Sequence, residues 1–152
     1  MIQGQICWIG VRPGRREPMQ IKSDVLAIAG NGLEGDHYDK RDGDRQATII
    51  LAEDLAAAAQ ALGIEAIDPS MTRRNIVVSG VNLHLPVGTL VQLGECIVEL
   101  TGPCHPCARM EENLGKGGTK ALAHKGGFTA IIRTGGLLQL NDPVFVLTAQ
   151  PK

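Results

Sequence analysis

The sequence has no long apolar run, no excess of charge of either sign, and few cysteines. No stretch approaches the roughly 20 consecutive apolar residues of a membrane span. The N-terminus has neither the basic start nor the apolar core of a signal peptide, so the chain is expected in the cytoplasm, away from membranes. Fifteen Lys and Arg against 16 Asp and Glu leave a net charge of -1, which gives no electrostatic footprint for nucleic acid. Four cysteines without a secretory signal do not form a disulfide framework in a reducing compartment, and favour redox or metal chemistry instead. No internal repeat and no low-complexity tail is present. A length of 152 residues, 43% of them hydrophobic, suits one domain with a sizeable core.

What stands out is Thr101-Gly102-Pro103-Cys104-His105-Pro106-Cys107-Ala108-Arg109-Met110. Two thiols three positions apart follow an apolar run, Ile97 to Leu100, that reads as a strand, and Gly and Pro force a tight turn there. In such a C-x-x-C turn each sulfur sits among backbone N–H groups. Cys107 is placed to open a short helix whose N-terminus favours a thiolate. It is the expected nucleophile or soft metal ligand, and Cys104 its redox partner, near enough for a reversible disulfide. The bland alternative makes both thiols small buried hydrophobes. His105, a lone His in a turn, is either a solvated side chain or a cation that favours a neighbouring thiolate. Cys7 and Cys96 lie in apolar strand-like runs and read as core residues without function.

Along the chain, Ile2 to Val11 reads as a first strand. The basic turn Arg12-Pro13-Gly14-Arg15-Arg16 can hold an anion, since Arg pairs phosphate bidentately, although a solvated loop satisfies the same residues. Val25 to Ile28 is a short strand. In Gly30-Asn31-Gly32-Leu33-Glu34-Gly35-Asp36-His37, three glycines bracket a turn that delivers an acid and a His at its exit. It does not end in Gly-Lys-Ser/Thr and enter a helix, so it is no phosphate-binding P-loop; a polar loop, Tyr38 to Asp44, follows. Ala47 to Leu51 is a buried strand, and Ala52 to Leu62 a helix stopped by Gly63, with alanines that serve packing.

Arg73 and Asn75 precede the apolar run Ile76-Val77-Val78. On an extended chain they share parity, so both are expected to face one ligand, Arg with a fork of donors and Asn with a donor and an acceptor. A polar approach to a strand explains them equally well. Thr89 to Leu93 and Glu95 to Thr101, around Gly94, form a hairpin that delivers the Cys turn. Ala108 to Leu114 is a short helix, Gly115 to Gly118 a flexible break, and Lys120 to His124 a further helical turn. Phe128 to Arg133 and Val144 to Thr148 are strands joined by a loop. Many short strands with one clear helix predict a mainly β fold: a closed or nearly closed β-barrel with helices at its ends.

The pieces Gly32-Leu33-Glu34-Gly35-Asp36, Arg45-Gln46, Arg73-Arg74-Asn75-Ile76-Val77, Pro86-Val87-Gly88, Gly94-Glu95, the Cys turn, Gly127 and Asp142-Pro143-Val144 arrive in an order that resembles the MOSC family. This is the domain found at the C-terminus of molybdenum cofactor sulfurases and in stand-alone bacterial proteins. The resemblance implies a barrel like that of pyruvate kinase, here a single domain over residues 1–152. It carries the family's functional cysteine over to Cys107, as a molybdenum ligand or a carrier of sulfane sulfur; Cys104 is not shared by all members. In the related amidoxime-reducing enzymes a similar C-x-x-C and an R-x-N pair line the molybdopterin site. That likeness makes Arg73 and Asn75 cofactor-binding candidates, with Asp36, Arg15 and Arg16 beside them.

Two functions are implied. One is an oxidoreductase that holds a molybdenum cofactor through Cys107 and reduces N-hydroxylated small molecules, served by a separate electron-donor protein. The other is a sulfur carrier that relays a Cys107 persulfide for metal-sulfur maturation. The chain has no pyridoxal-phosphate desulfurase domain, so its sulfur would come from a donor protein. Three further readings remain, a binding module without chemistry and two that use the thiols. A structural zinc site would need Cys104, Cys107 and two of His105, His124 or His37. A general thiol-disulfide oxidoreductase would lack the strand-helix alternation of a thioredoxin-like fold.

Overall fold

A computed structural model describes residues 3–14, 17–36, 43–104 and 112–147. Its strands are β1 (Gly4–Val11), β2 (Gln20–Lys22), β3 (Asp24–Ile28), β4 (Gly32–Leu33), β5 (Ala47–Leu51), β6 (Ile76–Ser79), β7 (Leu90–Leu93), β8 (Cys96–Pro103), β9 (Phe128–Thr134), β10 (Gly136–Gln139) and β11 (Pro143–Val146). Among the described residues, helices include α1 (Ala52–Leu62) and α2 (Gly118–Ala121), residues 112–114 are also helical, and a 3-10 turn lies at Pro69–Thr72.

Seven strands close into a mixed barrel in the order β11-β7-β8-β9-β5-β6-β1, and β1 pairs back onto β11. Alternation builds the wall. Along β5, Ala47, Ile49 and Leu51 belong to the barrel core, while Ile50 belongs to a second cluster outside it. Cys96, Val98 and Leu100 of β8 likewise point into the core. The β7–β8 hairpin turns at Gly94, whose φ of 59° is left-handed, and a Cβ there would collide with the Asp142 carboxylate. Register is therefore pinned where the hairpin begins its run toward the Cys turn.

The closed barrel is the architecture expected, but α1 lies on its outer wall and not at an end. It connects β5 to the parallel strand β6, and a parallel pair needs a crossover that packs on the sheet face. Leu55, Ala58 and Ala59 sit at helical spacing and are buried with Ile50, Val77 and Leu122. Gly63, at φ 71°, stops the helix, and Ile64 N–H closes the cap onto Ala59 O.

Three strands were not expected, among them β4, which lies in the segment read as a glycine-bracketed turn. The loop after β9 holds β10, which pairs with β3 in a three-stranded sheet β10-β3-β4. That sheet turns Val25, Ala27, Leu33 and Leu138 into the barrel core. The short polar strand β2 pairs on the free edge of β1 and has no hydrophobic period to reveal it. The expected break at 115–118 gives way at Gly118 to α2, whose capping residue Leu122 is fully buried. Among the described residues no helix is long and apolar enough to cross a membrane.

Candidate functional site

Two polar clasps surround the place where β8 runs out. The first joins the Gly-rich turn to the barrel. Asp36, 5% exposed, accepts from Arg12 N–H at 2.8 Å and from Asn75 Nδ2 at 3.1 Å through its Oδ1. Asn75 Nδ2 also donates to Gly10 O at 3.1 Å, and its Oδ1 accepts from Thr48 N at 3.0 Å and Thr48 Oγ1 at 3.1 Å. Both amide protons and both acceptor positions of Asn75 are thus taken by protein groups. A direct bond from Asn75 to a ligand would displace one of them.

The second clasp is Arg74, whose residue is 1% exposed. Its Nε donates to Gly126 O at 2.7 Å, Nη1 to Thr72 O at 3.1 Å and Nη2 to Cys104 O at 3.3 Å. One buried guanidinium therefore ties the turn before β6, the start of the Cys turn and the turn before β9. Cys104 N–H adds a bond to Gly127 O at 2.8 Å. Beyond the Cys turn, Asn113 Nδ2 donates to Met71 O at 3.0 Å. Both described flanks of the turn are thus bonded to the segment 71–74 that carries Arg73.

Arg73 itself does not share extended parity with Asn75. It ends the 3-10 turn in left-handed conformation, φ 63°, which breaks the alternation assumed for a strand approach. The residue is 9% exposed. Asp36, Arg73, Asn75 and Cys104 thus belong to one connected region, although Asp36 and Asn75 form a clasp of their own. Cys107, His105, Arg15, Arg16 and His37 lie outside the described residues. Cys7 is not a core residue: it is exposed on the outer side of β1, beside a register shift between Ile6 and Trp8, and its Sγ donates to Ser79 Oγ at 2.9 Å. Cys96 is fully buried as expected, and burial, with the Glu95 and Asp142 charges behind it, pushes its thiol up to about 11.

Beside the Cys turn runs a groove that sequence reasoning missed. A cavity of about 240 Å³ is lined by Pro103, Cys104, Gly126, Gly127, Phe128, His84 and His124. Two others share its His84 wall: one of about 200 Å³ over Gly102 and Leu100, and one of about 460 Å³ over Asp54, Glu53 and Asn82. His84 Nε2 lies 2.8 Å from Asp54 Oδ2, and the imidazole meets the Phe128 ring edge-on at 5.1 Å. Asp54 and His84 are 30 positions apart, on α1 and on the irregular run before Pro86, so no local motif joins them. The only sequence signal was parity: Leu83 is fully buried, which turns His84 the other way.

The MOSC domain model matches residues 29–145, most of the chain, and the protein belongs to the MOSC domain family. Among solved structures, the chain is similar to the YuaD protein of Bacillus subtilis, with TM-score 0.86 and 17% identity over 98% of each chain. It is also similar to YiiM of Geobacillus stearothermophilus, with TM-score 0.75 and 18% identity over 95% of this chain and 75% of the other. YiiM of Escherichia coli superposes with TM-score 0.70 and 14% identity, over 97% of this chain and 72% of the other. At these identities the likeness is one of fold. No curated protein matches the chain.

Among the described residues no three His, Cys, Asp or Glu side chains stand close enough together to hold a metal ion by themselves. A dithiolene-bound molybdenum needs less, because the pterin supplies sulfurs and the protein one soft donor. The residues present fit that requirement in kind. A thiol opens the turn, and a Cβ added at Gly102 in the adjoining wall would meet no atom, leaving open space along the groove.

Proposed function

We propose that this MOSC protein holds a molybdenum cofactor at the Cys turn and reduces N-hydroxylated small molecules there. The observation that carries this reading is the groove itself. A cavity of small-molecule size, about 240 Å³, lies against Cys104 with two imidazoles in its wall, and N–O reduction consumes protons that such groups deliver. The second reading, a relay of persulfide sulfur, rests on Cys107, which lies outside the described residues.

In this reading Cys107 is the molybdenum ligand and Cys104 its redox partner. Arg73, with Arg15 and Arg16 of the basic turn, would hold the pterin phosphate, and Asp36 would hold the pterin. Asn75 holds Asp36 in place through its Nδ2. When bound, the cofactor supplies a two-electron centre. The chain's own residues do the rest: Arg74 fixes the Cys104 carbonyl on which the Cys turn starts, and Leu85, Val87 and Phe128 give the neighbouring wall its apolar face. Electrons come from a separate donor protein.

The test is expression in a host that makes molybdopterin, anaerobic purification, metal analysis and assay with benzamidoxime and a reduced donor. Molybdenum near one per chain, with benzamidine formed, is the expected result. Cys107→Ser should lose both with its circular dichroism unchanged. Sulfane sulfur on Cys107 without molybdenum would overturn the reading in favour of the sulfur carrier.

A further inference from the structure

The fold brings His84 against Asp54, a pairing to which the function above gives no role. Asp54 stands in the first turn of α1, where its carboxylate receives the imidazole Nε2 at 2.8 Å. A carboxylate is an acceptor, so this contact selects the tautomer with the proton on Nε2 and leaves Nδ1 to accept or, once protonated, to donate. Nδ1 has no hydrogen bond among the described residues. The ring is held on two sides: Phe128 packs against it edge-on, and Nε2 is tied to Asp54 Oδ2 at 2.8 Å. Its side chain is nevertheless 42% exposed, while that of Asp54 is 14% exposed. A fixed imidazole, oriented from behind by a half-buried acid and open in front, has the construction of a proton-transfer group.

Position supports the same reading. His84 lines all three adjoining cavities, and Phe128 lines the two that reach Pro103. A flat ligand lying along Phe128 from Pro103 therefore meets the imidazole. Cys104 and His124 bound the far part of the same cavity, and no bond joins the Cys104 thiol to either imidazole, which leaves the space between them for a ligand.

We propose that His84, oriented by Asp54, is the proton donor of a site for planar amidoxime-type or N-hydroxylated heterocyclic molecules, with Phe128 as its apolar floor. The inference rests on the reductase reading and deepens it. The step balances as R–NH–OH plus two electrons and two protons giving R–NH2 and water. The N–O bond breaks, the leaving oxygen takes its proton from His84 Nδ1–H, and the nitrogen takes the other from solvent. The electrons come from a reduced iron–sulfur or flavin protein.

The first experiment uses the metal-free chain, so that it does not depend on turnover. Imidazole nitrogen NMR of the apo protein should show His84 as the Nε2–H tautomer, and Asp54→Asn should shift it toward a mixture. Titration with benzamidoxime should move the His84, His124 and Phe128 signals together and saturably. In the molybdenum-loaded protein, His84→Gln should lower kcat by about 100-fold or more with KM changed less than about threefold, as expected for a lost general acid. Asp54→Asn should show a smaller loss in kcat of the same kind. Benzamidoxime binding at His84 without reduction by the loaded protein overturns the function proposed above and supports the site. Signals that do not move at His84, or reduction unaffected by His84→Gln, overturn the present inference whatever the metal content.

Discussion

Replacing Arg74 by Met keeps most of the aliphatic bulk and removes the guanidinium, leaving Thr72 O, Gly126 O and Cys104 O without their donor. Hydrogen bonds to a charged donor contribute about 1.5–3 kcal/mol each. The three do not add fully, and taking a cation out of the interior returns part of its desolvation cost. A net loss of about 2–4 kcal/mol is expected, a large share of the roughly 5–15 kcal/mol that holds a domain folded. For a chain of this size that corresponds to a fall in Tm of about 5–15 °C. Arg74→Lys, which can reach one carbonyl at a time, should lose about half as much. Urea denaturation followed by far-ultraviolet circular dichroism reads the energy, and hydrogen exchange at the Cys104 amide, bonded to Gly127 O, reads the place. A loss below about 1 kcal/mol in Arg74→Met, within the range of an ordinary surface change, would refute the clasp as the anchor of the Cys turn.

Three other outcomes are expected. Cys96 has a folded pKa raised to about 11 from 9.0, so the folded protein keeps a proton that the unfolded chain gives up; stability is intact below pH 9 and falls between 9 and 11. The loss should reach about 2–3 kcal/mol, and Cys96→Ala should flatten alkaline denaturation over that window if the assignment is right. Asn75→Asp sets a second carboxylate against Asp36 Oδ1 in place of a donor, so it should destabilise more at pH 7 than at pH 4; equal losses at both would deny the contact. Gly63→Ala meets no atom within 4 Å, yet its φ of 71° should cost about 1–2 kcal/mol in thermal denaturation, purely through the backbone.

Local chemistry made much of this fold legible. The helix Ala52–Leu62 and its glycine stop, the strand Ala47–Leu51 and the hairpin that ends in the Cys turn follow from periodicity and turn residues, which act over a few positions. The ordered motifs pointed to the MOSC family, and the family model agrees. What the sequence could not determine are pairings between residues far apart in the chain. The strand β10 exists because β3 offers it an edge, and Asn75 turns to Thr48, Gly10 and Asp36 because the barrel closes there. Cys7 faces outward because strand alternation from the buried Ile6 puts it there, an outcome that apolar content alone misjudges. Arg73 turns left-handed where an extended approach was expected, and Arg74 anchors the Cys turn through acceptors from three separate segments. His84 and Asp54 meet only because the crossover lays α1 across the outer wall beside the approach to β7. Short-range preferences set the elements, and barrel closure decided which side chains share a groove with the Cys turn, since that depends on loop closures no local pattern encodes.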